Sequence, residues 1–200
     1  MKKFLKSVQL DRWTFGGLND IGVVSHCHED HDPTIQNCTF VPETIFVHDS
    51  HYRNVRNPAR TSVRSVDPRR GRRIKGRVYG YPFLARDLKR ALNIEAPDGY
   101  LHAAWWVFRK GSRTAVFIGE LDAPEVEVML KFIEKIKPEI VVLPSYGEMK
   151  FNVHRTQYPE ELAEKIEKAA GELKKKGIEV WALPHPITPE WADEVAQRLC

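Results

Sequence analysis

From Arg113 onward, apolar and polar positions alternate between two periods. Thr114-Ala115-Val116-Phe117-Ile118 is a short apolar run ended by Gly119, the pattern of a buried strand. Pro124, Glu125 and Glu127 then suit a first helical turn. Val126, Met129, Leu130, Ile133 and Ile136 follow at helical spacing until Pro138 stops them. Residues 139–143 predict a second strand. Pro159-Glu160-Glu161 opens a second helix with an apolar stripe of Leu162, Ile166, Ala169 or Ala170, and Leu173, closed by Gly177. Residues 178–183 predict a third strand, and Thr188-Pro189-Glu190 a last short helix. The order is β-α-β-α-β-α.

The first half is less even. Residues 21–25 form an apolar strand that runs straight into a cluster of histidines, and residues 44–47 form another. Trp105-Trp106-Val107-Phe108 is strand-sized, with both indoles read as core or edge aromatics. Ahead of residue 21 only residues 7–10 suggest a strand. Residues 57–81 hold five Gly and Pro and many Arg without either periodicity, which predicts a long Arg-rich loop at about 53–80. A mixed α/β layered fold follows. At 200 residues and 42% apolar composition, one domain over 1–200 with one full core is expected.

Composition adds a compartment and an asymmetry. No stretch reaches the roughly 18 to 20 uncharged apolar residues that span a bilayer. The basic start Met1-Lys2-Lys3 has no apolar segment of signal-peptide length before Asp11 and Arg12. Cys27, Cys38 and Cys200 are an odd number without framework spacing, which favours a reducing, cytoplasmic setting. The net charge of +4 conceals 13 Lys or Arg against two acids in residues 51–90, a local +11 that leaves −7 for the other 160 residues.

The chemistry lies in His26-Cys27-His28-Glu29-Asp30-His31, which sets four potential metal ligands in six residues. Alternate residues of an extended chain share a face, so His26 and His28 can converge on one ion while Cys27 points away into packing. Asp30 and His31, in the following turn, can address a second ion. Imidazole suits zinc and other borderline metals, and a carboxylate can hold an ion and orient its water.

This run after a buried strand resembles the hallmark His-x-His-x-Asp-His of the metallo-β-lactamase superfamily. The resemblance spans about residues 21–186. It implies an αββα sandwich, two mixed sheets flanked by helices, with a dinuclear site at one edge holding two divalent ions, most simply zinc, with manganese and iron as alternatives. It also implies three later ligands. His102, before the Trp105 strand, matches the third-ligand position, and His185, after Trp181-Ala182-Leu183-Pro184, matches the last. For the acidic ligand the family has Gly-Asp, whereas this chain has Gly119-Glu120-Leu121-Asp122. Register points to Glu120 and residue type to Asp122, and the choice stays open, as does a site holding one metal well. Only 25 residues precede His26, so either the amino-terminal sheet is reduced or another subunit covers its edge.

Other residues extend the reading. In some superfamily members a histidine in the loop matching His154 faces the substrate, so His154 is a proton-donor or phosphate-contact candidate, or else an exposed loop residue. His48 and His51 read as surface or packing residues. Arg69, Arg70, Arg72 and Arg73 can grip phosphate in the fork geometry of guanidinium, with Tyr79 and Tyr81 near for stacking.

The function expected is metal-dependent hydrolysis through a metal-bridging hydroxide oriented by Asp30, on a phosphodiester or ester, including a small-molecule or nucleic-acid phosphodiester. No Gly-x-Ser-x-Gly elbow offers a serine alternative. In the family a Glu in place of His28 would indicate the redox di-iron branch. The competing reading is a nucleic-acid-binding or metal-binding protein of the same fold with little or no turnover.

Overall fold

A computed structural model describes residues 1–17, 19–28, 31–34, 40–96, 102–145 and 160–184. Its two sheets are both mixed. The first has five strands in the order β2-β1-β3-β4-β5: β1 (Gln9–Leu10), β2 (Trp13–Thr14), β3 (Ile21–Val23), β4 (Thr44–His48) and β5 (Ser62–Val66). Only β1 and β2 pair antiparallel; β1-β3, β3-β4 and β4-β5 are parallel. The second has six strands in the order β11-β10-β9-β8-β7-β6: β6 (Arg72–Lys75), β7 (Val78–Phe83), β8 (Trp105–Lys110), β9 (Arg113–Phe117), β10 (Ile140–Ser145) and β11 (Glu179–Pro184). Here β6 to β9 form an antiparallel meander and β9, β10 and β11 run parallel.

Alternation along the strands explains the layers. On β4, Phe46 faces the second sheet and joins Leu10, Val23, Trp106, Phe108, Phe117 and Val142 in the core between the sheets. Its neighbours Ile45 and Val47 face the other way and pack with Val24, Cys27 and Val55. On β8, Trp106 and Phe108 point between the sheets while Trp105 and Val107 point to the helical layer. That layer is α2 (Ala85–Leu92), α3 (Glu125–Ile136) and α4 (Glu160–Lys175), whose stripes of Leu88, Met129, Phe132, Ile133, Leu162, Ile166 and Leu173 bury against it. A fourth helix, α1 (Lys2–Leu5), inserts Phe4 and Leu5 into the inter-sheet core. A fully buried Trp removes roughly 150–250 Å² from water. At about 25 cal/mol per Å² this contributes on the order of 5 kcal/mol each for Trp105 and Trp106, both completely inaccessible.

The helices end as their sequences dictate. Lys137 caps α3 in the left-handed region (φ 51°), its N–H reaching the Ile133 carbonyl, and Gly177 does the same after α4 at φ 79°.

The two mixed sheets with flanking helices meet the expected architecture, with two differences. Among the described residues, the outer face of the five-stranded sheet is covered by two 3₁₀ turns, Asp49–Asn54 and Pro58–Arg60, in place of long helices. The expected Arg-rich loop is a correction: residues 62–83 form β5, β6 and β7. Each of β5 and β6 ends a sheet and buries little, with Val66 and Ile74 as anchors and the remaining positions largely exposed. An edge strand dominated by arginine has no alternation for a sequence pattern to detect, and its charges discourage pairing with another chain. The amino-terminal sheet is reduced to the two-residue strands β1 and β2. No helix among the described residues is long and apolar enough to cross a membrane.

Candidate metal centre

The site forms where β3 ends, between the two sheets. The Asp11 N–H donates to the Val23 carbonyl (2.8 Å), extending the β1-β3 pairing by one residue, and there the chain turns in the left-handed region, with φ 52° at Asp11. This turn swings the Asp11 carboxylate under the start of the histidine run. Its Oδ1 accepts the Ser25 N–H (2.6 Å) and its Oδ2 accepts both Ser25 Oγ–H (2.8 Å) and His31 Nδ1 (2.7 Å). Ser25, Asp11, His26 and His31 are all nearly inaccessible to solvent.

The network assigns proton positions. Ser25 Oγ gives its proton to Asp11 and so accepts from His26 Nδ1, 3.0 Å away; Asp11 accepts from His31 Nδ1. In both imidazoles the proton sits on Nδ1 and the lone pair on Nε2. This is the second-sphere arrangement that orients a histidine toward a metal.

Two contacts from the second sheet bring the remaining donors. Trp106 Nε1 donates to the Val24 carbonyl (3.1 Å) and the Ala104 N–H to the Ser25 carbonyl (2.8 Å), fixing the start of β8 beside the histidine run. His102, just before β8, and Glu120, just after β9, then face His26. Gly119 permits the approach of β9: a Cβ there would lie 2.5 Å from Ser25 Oγ and 2.6 Å from Asp11 Oδ2.

His26, His28, His102 and Glu120 each offer a ligand atom, and these atoms lie within 4.8 Å of one another. Glu120 Oε2 sits 3.0 Å from His26 Nε2 and 2.9 Å from His102 Nε2. His26 Nε2 is buried without a hydrogen-bond partner of proper geometry. A buried acceptor facing a carboxylate is costly unless a cation lies between them. Bonds of about 2 Å to nitrogen and oxygen span a donor set of this size, so the residues fit a divalent ion.

The electrostatics agree. Burial, with the neighbouring charge of His31, lowers the His26 pKa to about 4, which keeps it a neutral ligand. Burial would raise the Glu120 carboxyl, but contacts with His102 and His26 outweigh it and hold the group far below the usual carboxylate range. His102 is raised by its hydrogen bond to Glu120.

The other candidates fall out as follows. His31 is held by Asp11 through Nδ1, its ring 4.1 Å from that of His26 between centroids. Asp30, His154 and His185, which would complete that second position and the acid-base pair, lie outside the described residues. Asp122 does not join the group. Its N–H donates to Glu125 Oε2 (2.7 Å) at the entry to α3, and its partly buried carboxyl is raised by burial and by Glu120. Arg69 and Arg70 lie in the turn before β6, and Arg72 and Arg73 on that edge strand; none lines the cavity at the histidines. That cavity, of about 550 Å³, is lined by His26, His28 and His102 together with His51, Arg53 and Arg56.

His48 packs as expected. It is fully buried, with Nε2 2.9 Å from Asp87 Oδ2, and it ties β4 to α2. His51 departs from expectation by lining the cavity. Sequence reading missed it, along with Asp11 and Ser25, because each stands outside any ligand spacing. The one available signal was that Asp11 directly follows a short apolar strand.

No protein-family model matches the chain, and no curated protein matches it by sequence. Among solved structures, a mutant of the CmlA beta-hydroxylase matches with a TM-score of 0.44 and 14% identity over 85% of this chain, which spans only 44% of that one. Human tRNase Z, short form, matches with a TM-score of 0.33 and 11% identity over 85% of this chain and 78% of that one.

Proposed function

We propose that this protein is a metal-dependent hydrolase of the metallo-β-lactamase superfamily acting on a phosphodiester or ester. The observation that carries the reading is the unpartnered, buried Nε2 of His26 aimed at Glu120 inside a four-residue donor group. Divalent metal bound there supplies Lewis acidity, lowering the pKa of water toward neutrality and stabilising charge that develops on the substrate.

The chain's own residues do the rest. His26, His28, His102 and Glu120 hold the ion, and Asp11 with Ser25 keeps His26 and His31 in the tautomer that presents Nε2. In this reading His31, Asp30 and His185 hold a second ion, zinc being the simplest choice for so imidazole-rich a set. Asp30 orients water, and His154 is the candidate proton donor. The cavity beside the histidines admits substrate on their open side: His28 and His102 are exposed there while His26 is buried behind them. In this reading Arg69, Arg70, Arg72 and Arg73, which do not line the cavity, touch the outlying backbone of a long substrate.

Turnover of bis(p-nitrophenyl) phosphate and of p-nitrophenyl acetate by zinc-, manganese- and iron-loaded protein tests this. Hydrolysis of at least one, abolished by chelator and by His28→Ala, is expected. Activity that survives both treatments, or no turnover of either ester with any of the three metals, contradicts it and favours a binding protein.

A further inference from the structure

The outer wall of the cavity is not used by the metal chemistry. It is built by the segment after β4, and that segment is anchored to the turn that follows His28. The Arg56 N–H donates to Asp32 Oδ2 (2.8 Å) and the Asn57 N–H to Thr34 Oγ1 (3.0 Å). Asp32 and Thr34 are completely buried and bonded to each other through Thr34 N–H and Oγ–H on Asp32 Oδ1. Val55, between the two arginines in sequence, is buried with Cys27 and Val24. The backbone bearing Arg53 and Arg56 therefore has a fixed position relative to His26 and His28.

Several arginines are engaged within the protein, and others, such as Arg64, Arg70, Arg73, Arg77 and Arg90, do not line the cavity. Arg60 donates to the Thr34 carbonyl, Arg72 to the Ser65 carbonyl, Arg86 pairs with Asp49 and Arg113 with Glu139. Among the described residues no carboxylate pairs with Arg53 or Arg56, yet both line the cavity. Several acids of this region are engaged elsewhere: Asp32 by backbone N–H groups, Asp49 by His48 and Arg86, Asp67 by Arg69, and Asp87 by His48 and the Leu84 N–H. Arg53 and Arg56, on an anchored backbone, thus line the same cavity as His26, His28 and His102. Its volume, about 550 Å³, is in the range of roughly 300–1,000 Å³ that takes a small ligand or one end of a large one.

We propose that Arg53 and Arg56 form a clamp that selects a substrate carrying a phosphate group beside the bond to be cleaved. Two guanidinium forks present +2 and several coplanar N–H donors, which match the charge and oxygen geometry of a phosphate better than those of a single carboxylate. The role as a substrate clamp rests on the reading of His26, His28, His102 and Glu120 as the reaction centre. The binding of phosphate does not.

Calorimetric titration of inorganic phosphate into the full chain, both metal-loaded and chelator-treated, separates the two. The clamp predicts that Arg53→Ala/Arg56→Ala weakens phosphate binding at least tenfold in both forms, while Arg64→Ala/Arg90→Ala changes it less than twofold. Both arginine pairs are exposed, so folding is preserved. Phosphate affinity unchanged by the first double substitution, no binding to the wild-type chain, or acetate binding as tightly as phosphate overturns the proposal. Ribose 5-phosphate and a 5′-phosphorylated dinucleotide in the same series distinguish a sugar phosphate from a nucleic-acid end. Tightening over inorganic phosphate that disappears in Arg53→Ala/Arg56→Ala supports the clamp, and tightening that survives there overturns it. Absence of turnover with intact, Arg53- and Arg56-dependent binding would sink the hydrolase reading alone.

Discussion

His31 Nδ1 and Asp11 Oδ2 meet at 2.7 Å, both inaccessible to solvent, across 20 residues of sequence. The same carboxylate holds the backbone and hydroxyl of Ser25, so one acid sets the direction of the histidine run at two points. Carboxylates in this position typically change metal affinity by roughly 10–100-fold when altered. Asp11→Asn keeps the shape and removes the charge, so metal affinity measured by competition with a chromogenic chelator is expected to fall by at least tenfold. Affinity equal to wild type would show that Asp11 serves folding alone.

Two glycines make a paired test of the packing around the site. A methyl at Gly119 would strike Ser25 Oγ and Asp11 Oδ2, whereas a methyl at Gly171, inside α4, meets nothing within 4 Å. Overpacking costs about 1–3 kcal/mol, and Gly to Ala in a helix interior gains roughly 0.5–1 kcal/mol. For a chain of this size each kcal/mol moves Tm by about 2–4 °C. Gly119→Ala should lower Tm by several degrees and Gly171→Ala should raise it by a few, by thermal unfolding in the metal-free state. A neutral Gly119→Ala would mean that β9 can retreat from Asp11.

Burial, with neighbouring histidine charge, depresses the pKa of both His26 and His51 from 6.5 to about 4. The unfolded chain takes up protons at these histidines near 6.5, while the folded chain resists until about 4. Their contribution to stability is therefore full above 6.5 and is lost as pH falls from 6.5 to 4. His102, raised by Glu120, has the opposite sign: its contribution is present below 6.5 and lost as pH rises through its folded value. It is substantially exposed and correspondingly screened. Tm of the metal-free protein should decline between pH 6.5 and 4.5, with a shallower slope in His51→Leu. A flat profile, or an unchanged slope in the variant, would contradict this.

Cys27 lies between two ligands yet packs against Val24, Ile45, Val47 and Val55, and burial pushes its thiol up from 9.0 to about 12. The thiolate is the reactive species, and that shift alone lowers its fraction at pH 8 by about a thousandfold. With Cys38 and Cys200 replaced by Ser, alkylation by iodoacetamide should be slower than in urea by a comparable factor. Equal rates would place the sulfur in the open.

The fold was legible wherever one face of an element is apolar. Between residues 113 and 183 the described elements follow their periodicity because β9 and β10 are buried strands, β11 sets Leu183 in the core, and α3 and α4 are amphipathic. Residues 57–81 were not legible, since β5 and β6 are edge strands whose buried positions reduce to Val66 and Ile74 amid arginines. At the site, His26, His28 and His102 could be named as candidates, whereas the choice between Glu120 and Asp122 stayed open in the sequence because register and residue type pointed to different residues. Asp11 could not be named, because its role depends on a left-handed turn after a two-residue strand and on the glycine at 119, neither of which leaves a spacing. His51, Arg53 and Arg56 became visible only once Asp32 and Thr34 were seen to pin their segment.

Metal content tests the centre most directly. Chelator-stripped wild type, His28→Ala, Glu120→Gln and Asp122→Asn would be reloaded with zinc, passed through a desalting column and assayed by elemental mass spectrometry. Wild type and Asp122→Asn are predicted to keep at least one ion per chain, and His28→Ala and Glu120→Gln to lose it. Retention by Glu120→Gln together with loss by Asp122→Asn would contradict the centre described.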